Sequence, residues 1–151
     1  MLKRPEILQG KAYRVPNDRG GKIWVIINHT QDCLALYEVF IYAEKGHTDL
    51  SVHTEALGRI LSIALRYGVP AEELIHQMLN IRGSNPVWLD GEEIFSLPDG
   101  VAKVMKKALD NLKELNPQEE QEYIDRWNKT KRINRHQEQT QEKAGIDISS
   151  I

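Results

Sequence analysis

Sulfur chemistry is almost missing from this sequence, since its 151 residues include one cysteine, Cys33. One thiol excludes an internal disulfide framework, a cysteine-based zinc site and any redox cycle that needs a thiol pair. Cys33 reads as a small turn residue. Long apolar runs are also lacking: the stretch from Ile23 to Ile27 falls far short of the roughly 20 residues a bilayer span needs. Met1-Leu2-Lys3-Arg4-Pro5-Glu6 holds no apolar signal-peptide core, so a cytoplasmic protein is expected. Charge of one sign is scarce, because 20 basic and 22 acidic residues leave a formal net charge of −2. No whole-molecule field therefore points to nucleic acid or an anionic membrane. The five histidines are scattered, and His47 and His53 do not share the i, i+4 spacing of a helical metal pair, so no metal site is expected.

What is present is hydrophobic periodicity. Tyr13 and Val15, then Ile23, Val25 and Ile27, recur at period two, which predicts strands over 11–16 and 22–28 joined by a hairpin at residues 17–21. Trp24 and Ile26 occupy the second strand's other face, so both faces are expected to be covered. Leu36 to Ala43 is rich in aromatic and β-branched residues and predicts a third strand in a meander, after a loop from Asn28 to Ala35.

From Asp49 to Tyr67 the period becomes helical, with Val52, Ala56, Leu57, Ile60, Leu61, Ala64 and Leu65 as the apolar face. Gly58 inside it costs about 1 kcal/mol relative to alanine, which suggests a close approach by another backbone. Gly68 can close the helix in a left-handed conformation, and Pro70, Glu72 and Glu73 can start a short helix over residues 71–79. Ile81 to Gly91 reads as a loop with Trp88 as its packing anchor. Val101, Val104, Met105, Ala108, Leu109, Leu112 and Leu115 form the stripe of a last long helix.

The start of that helix is the most informative stretch, Phe95-Ser96-Leu97-Pro98-Asp99-Gly100, which follows a short strand. Ser96 and Asp99 have capping-box spacing, so Ser96 can accept from a free helix N–H while Asp99 returns toward the cap. Pro98 sits in the first turn, where a missing N–H costs nothing. Asn116-Pro117 breaks the stripe and starts a further short helix carrying Tyr123, Ile124 and Trp127. After Trp127 the tail is almost wholly charged and polar, and it reads as exposed helix or disorder, with disorder beyond about His136. Its Lys129, Lys131, Arg132 and Arg135 are nearly cancelled by glutamates, so nucleic-acid binding is not expected. The domain division is 1–116 for the folded part and 117–151 for the tail. The fold class is α+β: a small antiparallel three-stranded sheet packed by two or three helices.

Several segments come in a familiar order: Arg4-Pro5-Glu6-Ile7-Leu8-Gln9-Gly10-Lys11, Tyr37-Glu38-Val39-Phe40-Ile41, Glu55-Ala56-Leu57-Gly58-Arg59-Ile60-Leu61-Ser62, Leu65-Arg66-Tyr67-Gly68-Val69-Pro70 and Ser96-Leu97-Pro98-Asp99. Over residues 4–109 the chain resembles the TSCPD domain, found near the carboxyl end of adenosylcobalamin-dependent (class II) ribonucleotide reductases and as small free-standing proteins. The signature spells Thr-Ser-Cys-Pro-Asp, whereas here Phe95 replaces the threonine and Leu97 the cysteine. Ser96, Pro98 and Asp99 keep the pattern, but the one thiol that would make it chemical is gone. The reductase barrel with its several cysteines is absent too, so this chain is not expected to run radical reduction by itself.

The resemblance implies a non-catalytic accessory of ribonucleotide reduction that binds the reductase large chain or one of its nucleotides, with adenosylcobalamin belonging only to that partner. The alternative is an independent nucleotide-binding, anion-binding or protein-interaction module sharing the fold. As an anion site the residues offer Lys45, Gly46, His47 and Thr48, between the third strand and the first helix, where Lys45 supplies charge and Gly46 allows close approach. Glu38 and Glu55 read as a solvated face or as structural ion pairs with Arg59. Edge strands of so small a sheet would also admit a homodimer.

Overall fold

A computed structural model describes residues 4–17, 21–30 and 35–115. The chain divides into units of residues 1–115 and 116–151. The second unit lies outside the described residues, and so do the tail's expected helix and disorder and the expected turn at Cys33.

Three strands, β1 (Gln9–Pro16), β2 (Lys22–His29) and β3 (Leu36–Ala43), form an antiparallel sheet in the order β1-β2-β3. Helices α1 (Asp49–Arg66) and α2 (Ala71–Met78) follow, then a hairpin of β4 (Val87–Leu89) and β5 (Glu92–Ile94), and finally α3 (Leu97–Leu115). The expected α+β class, a three-stranded antiparallel sheet packed by two or three helices, is what the described residues adopt, with three helices and the added β4–β5 hairpin.

Period two sets the sheet's two faces. Val15, Ile23, Val25, Ile27, Val39 and Ile41 are buried and join Leu61 and Leu65 of α1, Ile75 of α2 and the stripe of α3 in one core. The stripe of α3 is buried as expected at Val101, Val104, Met105, Ala108, Leu109 and Leu112. The other sheet face departs from expectation. Register places Arg14, Trp24 and Tyr42 in one row across it and Ala12, Ile26 and Phe40 in the next. Trp24 is 42% exposed and Tyr42 52% exposed. Among the described residues no element packs over Trp24 and Tyr42, because α1, α2 and α3 deliver their buried side chains to the opposite face.

Helix α1 is rotated relative to its sequence pattern. A Cβ on Gly58 would sit 3.0 Å from the Val39 carbonyl oxygen and 3.2 Å from the Ile41 nitrogen, so the helix rides against the backbone edge of β3. The Ser62 hydroxyl both donates to the Val39 carbonyl and accepts from the Val39 N–H, each at 2.9 Å. These edge groups have no strand partner, and pairing them with Ser62 fixes the helix's roll. Thr54, Gly58, Leu61 and Leu65 consequently face inward, while Val52, Ala56 and Ile60 face solvent, against expectation.

Gly68 (φ 87°) ends α1 in the left-handed conformation expected of it, with the Val69 N–H bonded back to the Ala64 carbonyl at 3.0 Å. The stretch read as a loop up to Gly91 holds β4 and the hairpin turn at Asp90 (φ 52°) and Gly91 (φ 83°), and β5 is the short strand expected before Phe95. In a three-residue strand only alternate residues can face the core. Val87 and Leu89 take those places, so Trp88 points outward, 67% exposed, and is not the expected packing anchor.

Candidate functional site

The signature at the start of α3 is built as a latch. Ser96 accepts from the Asp99 N–H at 3.3 Å, as a cap should, and donates to the Ile81 carbonyl at 2.6 Å. Asp99 does not return to the cap. Its carboxylate, fully buried, accepts from the Phe95 N–H at 3.0 Å and the Asn80 N–H at 2.8 Å, and Lys103 one turn along the helix lies 2.9 Å away. The left-handed turn at Asn80 (φ 64°) brings in that second donor from 19 residues upstream. The Gly83 N–H bonds the Phe95 carbonyl at 2.8 Å, and the Arg82 guanidinium sits 4.1 Å above the Phe95 ring. Burial pushes the Asp99 pKa up, but the two backbone donors and Lys103 outweigh it and hold the acid below its ordinary value.

Leu97, at the family's cysteine position, is half-buried and lines a cavity of about 380 Å³ together with Asp49, His53, Ser84 and Asn85. Pro98 occupies the first turn of α3, as expected.

The turn proposed as an anion site is exposed at Lys45, Gly46, His47 and Thr48. Thr48 caps α1: its hydroxyl accepts from the Ser51 N–H at 3.2 Å, and the Ser51 hydroxyl accepts from the Thr48 N–H at 2.9 Å. This capping box already uses donors that an anion at the helix end would need. His47 is left-handed (φ 56°), and nothing lies within 4 Å of where a Cβ on Gly46 would be.

A second polar cluster lies where α1 meets the outer face of β3. Glu38 is buried, and Arg4 grips it with two bonds, Nε to Oε2 at 2.9 Å and Nη2 to Oε1 at 3.0 Å. The Asn28 amide adds a third at 2.8 Å. Gly10 makes this possible, because a Cβ there would fall 1.9 Å from the Asn28 side-chain oxygen. Burial raises the Glu38 pKa, and the bonds from Arg4 and Asn28 with the charges of Arg4 and Arg66 more than reverse it, so the carboxylate is held ionised. Arg59 pairs with Glu55 one helical turn away; the Arg59 partner considered for Glu38 is replaced by Arg4.

Beside this cluster runs a groove of about 570 Å³ lined by Phe40, Tyr42, Arg59, Ile63 and Arg66 among others. The Arg66 Nε is buried without a hydrogen-bond partner. Phe40 and Tyr42 stack with ring centroids 6.3 Å apart, and Trp24 is the cross-strand neighbour of Tyr42. Four of the segments that carry the resemblance supply residues to this corner: Arg4 and Gly10, then Glu38 and Phe40, then Arg59 and Ser62, then Arg66. Their convergence could not be read along the chain, because it follows from strand register and the roll of α1. Among the described residues no group of three or more histidine, cysteine, aspartate or glutamate side chains could hold a metal ion. Both buried carboxylates are ionised and fully engaged, which suits binding and rigidity more than proton transfer near neutral pH.

No curated protein and no solved structure matches the chain. The family model of the TSCPD domain matches residues 1–109, most of the described fold. This chain belongs to the TSCPD domain family, a family associated with ribonucleotide reductases.

Proposed function

We propose that this protein is a non-catalytic accessory module of ribonucleotide reduction in the cytoplasm, and that it docks on the reductase large chain through the outer face of its sheet. The observation that carries this reading is the exposed cluster of Trp24, Tyr42 and Phe40 from two adjacent rows of the sheet, beside an arginine-lined groove assembled from the family's own segments. Aromatic and arginine side chains dominate the energetics of protein interfaces, and a patch of them exposed on a small domain marks a contact surface. Adenosylcobalamin and the reducing thiols belong to the partner in this scheme. The single cysteine here supplies no thiol pair.

The test is co-purification of the full chain with a class II large chain lacking this domain, followed by a reductase assay with and without the module. Complex formation and an altered turnover or allosteric response are expected. Absence of both removes the reading.

A second reading, an independent nucleotide or anion binder, is favoured by one observation, the buried Arg66 Nε without a partner. Calorimetry with nucleoside di- and triphosphates tests it. Under this reading Arg66→Ala abolishes the heat; loss with Lys45→Ala alone would return the site to the turn before α1, and no heat with any nucleotide disposes of both.

A further inference from the structure

Helix α1 carries a second apolar stripe that the core does not use. Val52, Ala56, Ile60, Ile63 and Tyr67 succeed one another at spacings of four, four, three and four residues, and all five are exposed, Ile60 at 65%. That spacing keeps them on one side of the helix, and the seam extends about 22 Å. The inward roll set by Gly58 and Ser62 is what turns this stripe outward.

The stripe is close to symmetric about Ile60. If a second α1 is laid against it in the opposite direction, Val52 meets Tyr67, Ala56 meets Ile63, and Ile60 meets its own counterpart. The charges select the same direction. Asp49 stands at the amino-terminal end of the stripe and Arg66 adjoins Tyr67 at the other. A parallel pairing would place Asp49 on Asp49 and Arg66 on Arg66, whereas the antiparallel one sets acid toward base and aligns the helix dipoles favourably. Arg59, the cation nearest the centre, brings its own counter-charge in Glu55. His53 and the Tyr67 phenol are the remaining titratable groups on this side of the helix.

We infer that two copies of this chain pair antiparallel through the Val52–Tyr67 stripe of α1, about a two-fold axis at Ile60. This is an isologous contact, closed at two copies. It differs from pairing at a sheet edge: the β3 edge is already covered by α1, and β1 takes no part. Ile63 also lines the groove beside the aromatic face, so the seam adjoins that surface, while Trp24 and Tyr42 lie on the sheet and outside the stripe.

Sedimentation equilibrium on the full chain alone, across about 1–100 µM, should give twice the chain mass of 17.4 kDa. Ile60→Asp should raise the dissociation constant about tenfold or more while leaving the circular dichroism spectrum of the folded chain unchanged, because Ile60 lies outside the core. In a Cys33→Ser background, Ile60→Cys oxidised with diamide should yield a covalent dimer, and Trp88→Cys, equally exposed, should not. A single monomer mass throughout overturns the inference. So does a dimer that is indifferent to Ile60→Asp and fails to cross-link at position 60, since its contact would lie at the β1 edge or elsewhere. No reductase is present in these measurements, so their outcome is independent of the docking proposal.

Discussion

Asp99 and Glu38 are both buried carboxylates held ionised, but they are held from different places. Asp99 is gripped by two backbone N–H groups and by Lys103 of its own helix, and it is completely enclosed. Glu38 is gripped by side chains from elsewhere, Arg4 at a distance of 34 residues and Asn28 on the neighbouring strand, beside an open groove. The first arrangement fastens the residue 80–83 segment to the start of α3, beside the cavity that Leu97 lines. The second fixes the corner of a groove flanked by exposed aromatics. The motif that names the family is thus a structural joint in this chain, and the surface suited to recognition lies on the other side of the sheet.

The largest expected effect separates the two sites by stability. Asp99→Ala should cost about 2–4 kcal/mol, because it removes the acceptor of the Phe95 and Asn80 N–H groups and takes one partner from the mostly enclosed Lys103 ammonium, which keeps Glu92 and the Glu93 carbonyl. Urea denaturation measures this, and a loss under about 1 kcal/mol would mean the latch is not structural. Arg4→Ala should cost less, since Arg4 is nearly half exposed and the buried acid it leaves behind keeps its bond from Asn28.

Acid sensitivity comes next. Both carboxylates have pKa values lowered by folding. Each therefore contributes stability that is complete above the ordinary carboxylate pKa of about 4 and is lost as pH falls through the lower folded value. Stability should drop steeply below about pH 4, and Asp99→Asn should flatten that drop while lowering stability near neutrality. An unchanged acid profile in Asp99→Asn would contradict the assigned bonding. The smallest effect on stability belongs to the aromatic face: Tyr42→Ser should shift it by no more than about 0.5 kcal/mol, because the ring is half in water.

The contrast between these regions also marks what the sequence could disclose. β2, β3 and all three helices were legible because each is long and periodic enough to announce its type, and the family segments were legible in order. Three things were not. The roll of α1 depends on Gly58 and Ser62 meeting the free edge of β3, a contact no helical periodicity encodes. The β4–β5 hairpin has only three residues per strand, too few for alternation to show, although Asp90-Gly91 carried a genuine turn signal. The pairing of Glu38 with Arg4 needed register and the space left by Gly10, both of them long-range facts. The anion-site expectation rested on residue types around Lys45 and did not anticipate that Ser51 would complete a capping box with Thr48.

The central claim is that recognition belongs to the outer sheet face and not to the signature. Affinity for the reductase large chain, measured by calorimetry on two variants, tests it most directly. Phe40→Ser with Tyr42→Ser should weaken binding about tenfold or more with the native circular dichroism spectrum retained, while Leu97→Cys, which restores the family's residue, should bind as the native chain does. Binding that survives loss of both aromatics and responds to position 97 would contradict the account.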